Sequence, residues 1–592
     1  MTTQLDDLTW DIDTLVDNRG ADGVAALLDD ARERAEDLAR NKGRVASFDA
    51  DDLAGFMTEL GEIHELIGRG ASYAHLWFST DTADPERGAL LQRVQERATE
   101  ISTMLLFFEL EWTKLPDEAA QALLADERLD QARHHLEIMR RFRDHLLSEP
   151  EEKILSEKAI TARAAWGRLF SELTSSIEVE LDGEVTTVAD ALSRLSSHDR
   201  EVRRRAGSAM TAALQEGLRT RAFIYNMLVH DKATDDRLRG YDHWLQSFNL
   251  SQEASDGAVE ALVTAVRGRY DLPQRWYSLK AKLLGLDKLA YYDRAAAMTE
   301  DEALVEWDEA RGIVTDCYSS FSPALGDLVR RFFDERWIDV PTRTGKVQGA
   351  FCAPTAASHH PYVLVNYTSK RRDVLTLAHE LGHGVHQALG SSQGPFHHTT
   401  PLTVAETASV FGETIVFNRL LALEESPSAR FALLAQKVED SLATVFRQVA
   451  MNRFEASVHN GRRNEGELSV ERLGDLWIET QSEMLGDAVE LEDDYRSWWS
   501  YVPHFIHVPG YVYAYAFGFL LAVSVYRVYE EQGDSFVPRY LEMLSAGGSR
   551  SPEELARIVG CDLSDPAFWE GGLSVIERDI DRAEAAAPLP SG

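Results

Sequence analysis

Cysteine is nearly absent. Cys317, Cys352 and Cys561 are the three in 592 residues, too few and too widely spaced for a disulfide framework or a CxxC metal ribbon. Their scarcity fits a reducing compartment. Proline is scarce too, at 18 residues, so helices can run long. Positive charge is in deficit, with 61 Lys and Arg against 98 Asp and Glu and a formal net charge of −37. Such a surface repels nucleic acid and anionic membrane, and neither is expected as a partner. Met1-Thr-Thr-Gln-Leu-Asp-Asp7 lacks the basic and apolar regions of a secretory leader, so a cytoplasmic location is expected. One uncharged run, Val508 to Tyr526, has the length of a membrane span. It opens on Pro509-Gly510 and carries Tyr511, Tyr513, Tyr515 and Tyr526, whose hydroxyls are costly in lipid. A buried protein segment is the expectation.

What is present is ample core material: 44% hydrophobic and 27% charged residues, the balance of a globular protein. No repeat or low-complexity linker divides the chain. Apolar residues recur at helical spacing, as in Val438, Leu442, Val445 and Val449, and the fold class is expected to be mainly α. Strand signals are local. Residues 177–188 alternate on both sides of Asp182-Gly183, which reads as a hairpin with a type I′ turn. Residues 346–351 and 362–367 are short β-rich runs and predict a small sheet beside the active centre. An N-terminal helical lobe over 1–195, including the hairpin, and a catalytic region over 196–592 are the expected domains.

The chemistry concentrates in Leu375-Thr-Leu-Ala-His-Glu-Leu-Gly-His-Gly-Val-His386. On a helix, His379 and His383 share a face and can bind one zinc ion. Glu380 sits about 100° round the helix, where a general base belongs. A catalytic zinc needs a third protein ligand. The HExxHxxGxxH pattern is excluded, because His386 stands at its Gly and Leu389 at its His. His386 itself lies about 10.5 Å along the axis from His379, too far to share the ion, and is expected behind the ligands. Glu406, 23 positions past His383 in Thr403-Val-Ala-Glu-Thr-Ala-Ser-Val-Phe-Gly-Glu413, can return on a second helix. Its apolar neighbours make an unpaired carboxylate costly. Glu413 and Asp373 are candidates for orienting a ligand; a salt bridge and a helix N-terminal charge are their plainer roles. A di-iron bundle needs two Glu-x-x-His motifs, and only His383 has Glu three residues before it.

His379-Glu-Leu-Gly-His-Gly-Val-His386 followed by Glu406-Thr-Ala-Ser-Val-Phe-Gly-Glu413, with Gly349-Ala-Phe upstream and His504-Phe and Tyr511-Val-Tyr-Ala-Tyr515 downstream, resembles the oligoendopeptidase F branch of the thimet oligopeptidase-like zinc peptidases. The motifs cover about 346–520. The resemblance implies a two-lobed helical ellipsoid with a deep substrate channel and one zinc per chain held by His379, His383 and Glu406. Glu380 would be the base. It also implies an oxyanion held by a His and a Tyr, read here as His504 with Tyr515, and Tyr511 next; His507 is another candidate in the same stretch.

Gly349, Ala350 and Phe351, with His507, are expected to bind substrate, the strand by pairing its backbone with an extended peptide. His359, His360, His397 and His398 are expected as loop histidines, solvated by default. The reading is a zinc endopeptidase of short oligopeptides, monomeric or homodimeric. Two alternatives are an inactive peptide-binding protein on the same scaffold and a zinc amidohydrolase of small molecules. Retention of all four motif residues argues against the first.

Overall fold

Local signals in the sequence mark several of the helix starts. The computed structural model describes residues 5–298 and 303–588; residues 1–4, read above for a leader, lie outside them. Mainly helical structure is what it shows, with three small sheets among the described residues. The helix Ala50–Thr80 opens on a capping box between Asp49 and Asp52. Pro85–Thr113 has Asp84 as N-cap and Pro at its first position, where the missing amide hydrogen costs nothing.

Two compact units form, each from three stretches of chain: Met1–Arg143, Glu302–Ala422 and Val525–Asp562; and Asp144–Asp301, Leu423–Ser524 and Leu563–Gly592. This differs from the single boundary expected at 195. The hairpin that marked that boundary lies inside the second unit. Chain order does not reveal which distant stretches pack together, so a local composition shift could not mark these divisions.

In the first unit, the helix Gly20–Ala39 buries Val24, Leu27, Leu28, Ala31, Ala35 and Leu38, one helical face. It packs on Ala50–Thr80, whose Phe56 stacks on Phe108 at 4.4 Å. The sheet of this unit has Tyr362–Leu364 in its centre, wholly buried. That strand pairs parallel with Ile338–Asp339 and antiparallel with Phe351–Ala353, which lies at an edge. Trp10 packs edge-on to Tyr362 at 5.9 Å and ties this sheet to the N-terminal core. Phe351–Ala353 and Tyr362–Leu364 also pack on the helix Arg371–Gly390, so a small sheet does stand beside the HExxH helix, although of the run expected at 346–351 only Phe351 is in a strand.

The second unit has an aromatic core in which Tyr225, Phe454, Trp477, Trp499 and Phe505 are all buried. Its hairpin pairs Glu178–Leu181 with Glu184–Thr187, and Asp182 and Gly183 have φ of 57° and 86°, as a type I′ turn requires. Val438, Leu442, Val445 and Val449 are buried as their spacing predicts. A π-helical turn, Leu442–Phe446, interrupts that run between the helices Pro427–Ser441 and Arg447–Glu465. Residues of the Val508–Tyr526 run are largely buried within protein. Among the described residues no helix is long and apolar enough to cross a membrane.

Candidate metal centre

The helix Arg371–Gly390 carries His379, Glu380, His383 and His386. Asp373 accepts from the Thr368 amide at 2.7 Å, the Thr368 hydroxyl at 2.8 Å and the Lys370 amide at 3.1 Å. It therefore caps the helix start rather than orienting a histidine; the plainer reading is the one the structure favours. One face of the helix, with Val374, Leu377, Ala378, Leu381 and Val385, is buried. The two histidines lie on the adjoining, partly open face.

A second helix, Leu402–Leu423, returns alongside. Its approach depends on two glycines. A methyl at Gly382 would lie 2.4 Å from the Ala408 carbonyl oxygen and 2.5 Å from the Ser409 Cα. One at Gly412 would lie 1.8 Å from the Tyr318 hydroxyl, which donates to the Ala378 carbonyl at 2.9 Å. With no side chain at either position the two backbones can touch. Glu406 then meets both histidines: its Oε2 is 3.3 Å from His379 Nε2 and 3.5 Å from His383 Nε2. The Ser409 hydroxyl donates to the same oxygen at 2.6 Å.

His379 Nε2, His383 Nε2 and Glu406 Oε2 fit a zinc ion. Ligand atoms at about 2.0–2.1 Å from a tetrahedral zinc are separated by about 3.3 Å, close to the observed carboxylate–imidazole distances. These three side chains form the group within 4.8 Å of one another capable of holding a metal among the described residues. Behind them, Glu413 Oε2 is 3.2 Å from His379 Nδ1. The Ala405 backbone, next to Glu406, favours the protonated form of both His383 and His386, and His386 is buried.

The electrostatics reflect two carboxylates converging on buried imidazoles. Burial pushes His379 down, but Glu406 and Glu413 overcome it and bring the imidazole to about 10. Burial would raise Glu406, yet His379, His383 and Ser409 together bring it to about 2. Burial dominates at His383 and His386, each lowered to about 4. Glu380 is raised to about 7 by burial, with His379 opposing and Glu406 assisting. Such a set calls for a positive partner at its centre, a proton on His379 or a cation in its place.

The substrate-strand residues divide. Phe351 opens the edge strand. Ala350 and Gly349 precede it, and Gly349 has φ of +83° with open space where a side chain would stand. Its carbonyl accepts from the Asn366 side chain at 2.8 Å. Cys352 donates to Gln387 Oε1 at 3.3 Å, and burial holds its thiol well above the ordinary value. Two of the loop histidines are built into structure rather than solvated. His397 is buried and accepts the His135 amide at 3.1 Å, and His360 stacks on Trp337 at 4.0 Å.

In the second unit, His504 Nε2 and the Tyr515 hydroxyl are 3.3 Å apart. Tyr511 lies parallel to the His504 ring at 5.9 Å and edge-on to Tyr515 at 4.9 Å. Burial, with Arg447 and His507 adding, lowers the His504 imidazole. His507 is elsewhere: its Nε2 meets the Ser171 hydroxyl at 3.1 Å and its ring lies beside Gly167 and Phe170. The sequence reading assigned no role to Gly382, Gly412 and Ser409. The one available signal was the Glu406–Ser409 spacing, which puts both side chains on one helix face.

Known proteins resemble this chain in sequence and in fold. Residues 319–574 match the model of peptidase family M3, and residues 111–178 match that of Oligopeptidase F. Oligopeptidase PepF of Bacillus subtilis is 27% identical over 564 residues, 93% of this chain and 83% of that protein. A crystal structure from Chlamydophila abortus has the same fold, with a TM-score of 0.87 at 24% identity over 99% of this chain and all of that one. Oligoendopeptidase-F from Enterococcus faecium superposes with a TM-score of 0.72 at 22% identity, covering 94% and 98% of the two chains. The protein is a metallo-oligopeptidase. It belongs to peptidase family M3, in the oligoendopeptidase F branch.

Proposed function

We propose that the enzyme is a zinc endopeptidase that cuts internal bonds of short unstructured peptides, with one zinc held by His379, His383 and Glu406. The observation that carries this reading is the spacing of three donor atoms across two helices, with Glu413 behind one and Glu380 beside them. Zinc in that site supplies Lewis acidity to a water and to the scissile carbonyl.

The remaining work falls to side chains. Glu380, buried and one residue along the helix from a ligand, takes the proton of the attacking water and hands it to the departing amine. His504 and Tyr515, with Tyr511 next, are proposed to donate to the oxyanion, a role that an imidazole and a phenol in mutual contact suit. The edge strand Phe351–Ala353, with Gly349 and Ala350 leading into it, is proposed to pair with the peptide backbone. Pairing of that kind ignores side chains and gives broad specificity. His507, engaged by Ser171, is left out of the substrate set.

Elemental analysis of the purified protein should give about one zinc per chain. Mass-spectrometric profiling of a peptide library should show internal cleavage that chelator abolishes and zinc restores. Absence of a transition metal, with no activity on adding zinc, would overturn the reading. The substrate limit rests on the family's channel. A reduced, alkylated protein has no folding free energy, otherwise about 5–15 kcal/mol, to resist entry. Its survival beside cleaved short peptides therefore isolates a steric limit; cutting at many internal sites would mean an open cleft. Substrates in the cytoplasm, rather than nucleic acid or membrane, fit the acidic surface.

A further inference from the structure

The His504–Tyr511–Tyr515 cluster sits on a short turn, His504–His507, a loop, and the start of the helix Tyr513–Gln532. Little regular structure fixes that loop. The Tyr511 amide bonds the Val508 carbonyl at 3.2 Å and the Ala514 amide bonds the Tyr511 carbonyl at 2.9 Å. At its centre Gly510 has φ of +87°, and a methyl there would lie 2.5 Å from Leu245 Cδ1. The backbone is thus pressed against a neighbour in a conformation other residues rarely adopt.

The Gly510 amide donates to Glu455 Oε1 at 3.0 Å. Glu455 projects from the helix Arg447–Glu465 and has no exposed surface. Its other oxygen has no hydrogen-bond partner among the described residues. A buried carboxyl with a single bond is an expensive way to fill core space. What it does is meet a buried backbone donor that neither helix nor sheet can serve. Three residues on, the Tyr513 hydroxyl donates to Asn249 Oδ1 at 2.8 Å, and Asn249 in turn donates to Asp256 at 2.7 Å. The loop is therefore held at the Gly510 backbone and the Tyr513 side chain, and at its start by His507, whose ring meets Ser171 and whose carbonyl accepts from Arg163 at 3.3 Å. His504, Tyr511 and Tyr515 are the groups left between and beside these anchors.

We propose that Glu455 is the positioning residue of this cluster: its one hydrogen bond to Gly510 fixes the loop that sets His504, Tyr511 and Tyr515 against one another. The role in catalysis rests on the oxyanion reading of those three groups. Glu455 acts through the loop and touches no reacting atom. An uncharged acceptor of the same shape should serve as well; a side chain without an acceptor, or one too short to reach, should not.

The test uses the zinc-loaded full chain. Glu455→Gln should keep kcat within about threefold of wild type. Glu455→Leu should lower kcat by about ten- to a hundredfold, the scale expected of a misplaced catalytic group, with KM and zinc content little changed. In a Tyr515→Phe background the loss from Glu455→Leu should shrink, because coupled residues are not additive. Amide exchange in the 504–515 segment should quicken in Glu455→Leu and stay slow in Glu455→Gln. Where the Leu variant does not fold, Glu455→Asp, one methylene shorter, should show the same losses. Wild-type kcat and protection in Glu455→Leu or Glu455→Asp would overturn the proposal, as would an equal loss in both backgrounds. Failure of the peptidase reading shows separately, as a wild-type chain that cleaves no peptide while the exchange measurement still decides the anchor.

Discussion

Glu413 Oε2 lies 3.2 Å from His379 Nδ1, and that contact selects which ring nitrogen faces Glu406. With the proton held on Nδ1, the Nε2 lone pair is free for a cation. Glu413→Ala removes the partner that fixes both tautomer and ring orientation. Zinc affinity should fall by about 10- to 100-fold, the usual cost of losing such a group. Titration against a competing chelator measures it; an unchanged affinity would reduce Glu413 to a surface ion pair.

Glu380→Gln keeps the shape of the side chain and leaves the donors of His379, His383 and Glu406 in place. It removes the one buried carboxylate beside them that is not a proposed ligand. Turnover should drop by at least about a hundredfold, the scale of general-base catalysis, while bound zinc stays at the wild-type level. Peptide hydrolysis followed together with metal content separates the two effects. Near-normal turnover would remove Glu380 from the mechanism.

Legibility in the sequence followed the range of the interaction. His379 and His383 are one helical turn apart, so their shared face could be read from spacing alone. The Asp182-Gly183 turn was equally local. Glu406 needed an inference about a returning helix, and the apolar residues around it supplied that. The division of the chain was beyond reach, because each unit combines three distant stretches. Asp373 shows a different limit: a carboxylate near a helix start suits both a cap and a ligand partner, and only geometry separates them. The π-helical turn at Leu442–Phe446 left the apolar spacing intact and so gave no signal.

Gly382 offers a test of how the site is assembled. Its missing side chain lets the two helices meet, and the atoms in the way of a methyl are backbone, not flexible side-chain ends. Gly382→Ala must push the helices apart. Overpacking of this kind costs about 1–3 kcal/mol, and the shift falls two residues from Glu406. A lower denaturant midpoint and weaker zinc binding are both expected. Gly257→Ala is the control: that helical glycine has nothing within 4 Å of an added methyl and should gain about 0.5–1 kcal/mol. Equal midpoints for the two variants would mean the helices adjust without loss.

Glu455 makes stability depend on pH in a direction unusual for a carboxylate. Burial raises it from 4.5 to about 8, with the Gly510 amide opposing. Unfolded, the same group returns to its ordinary value. Between those limits the folded chain binds more protons than the unfolded one, so stability falls as pH rises. The contribution is full below about 4.5, erodes across the interval, and is gone above about 8. Tyr225, the phenol close enough to feel this charge, is held well above its ordinary value by burial and stays neutral throughout. His459, one turn further along the helix, is also buried and pushed well below its ordinary value. Its effect has the opposite sign and is lost as pH falls, so only a comparison with a variant isolates Glu455. Glu455→Gln keeps an acceptor for Gly510 and does not titrate. Its denaturant midpoint should match or fall below wild type at pH 5 and exceed it at pH 9, with the curves crossing between. Parallel curves over that range would show that the buried carboxyl does not change its protonation there.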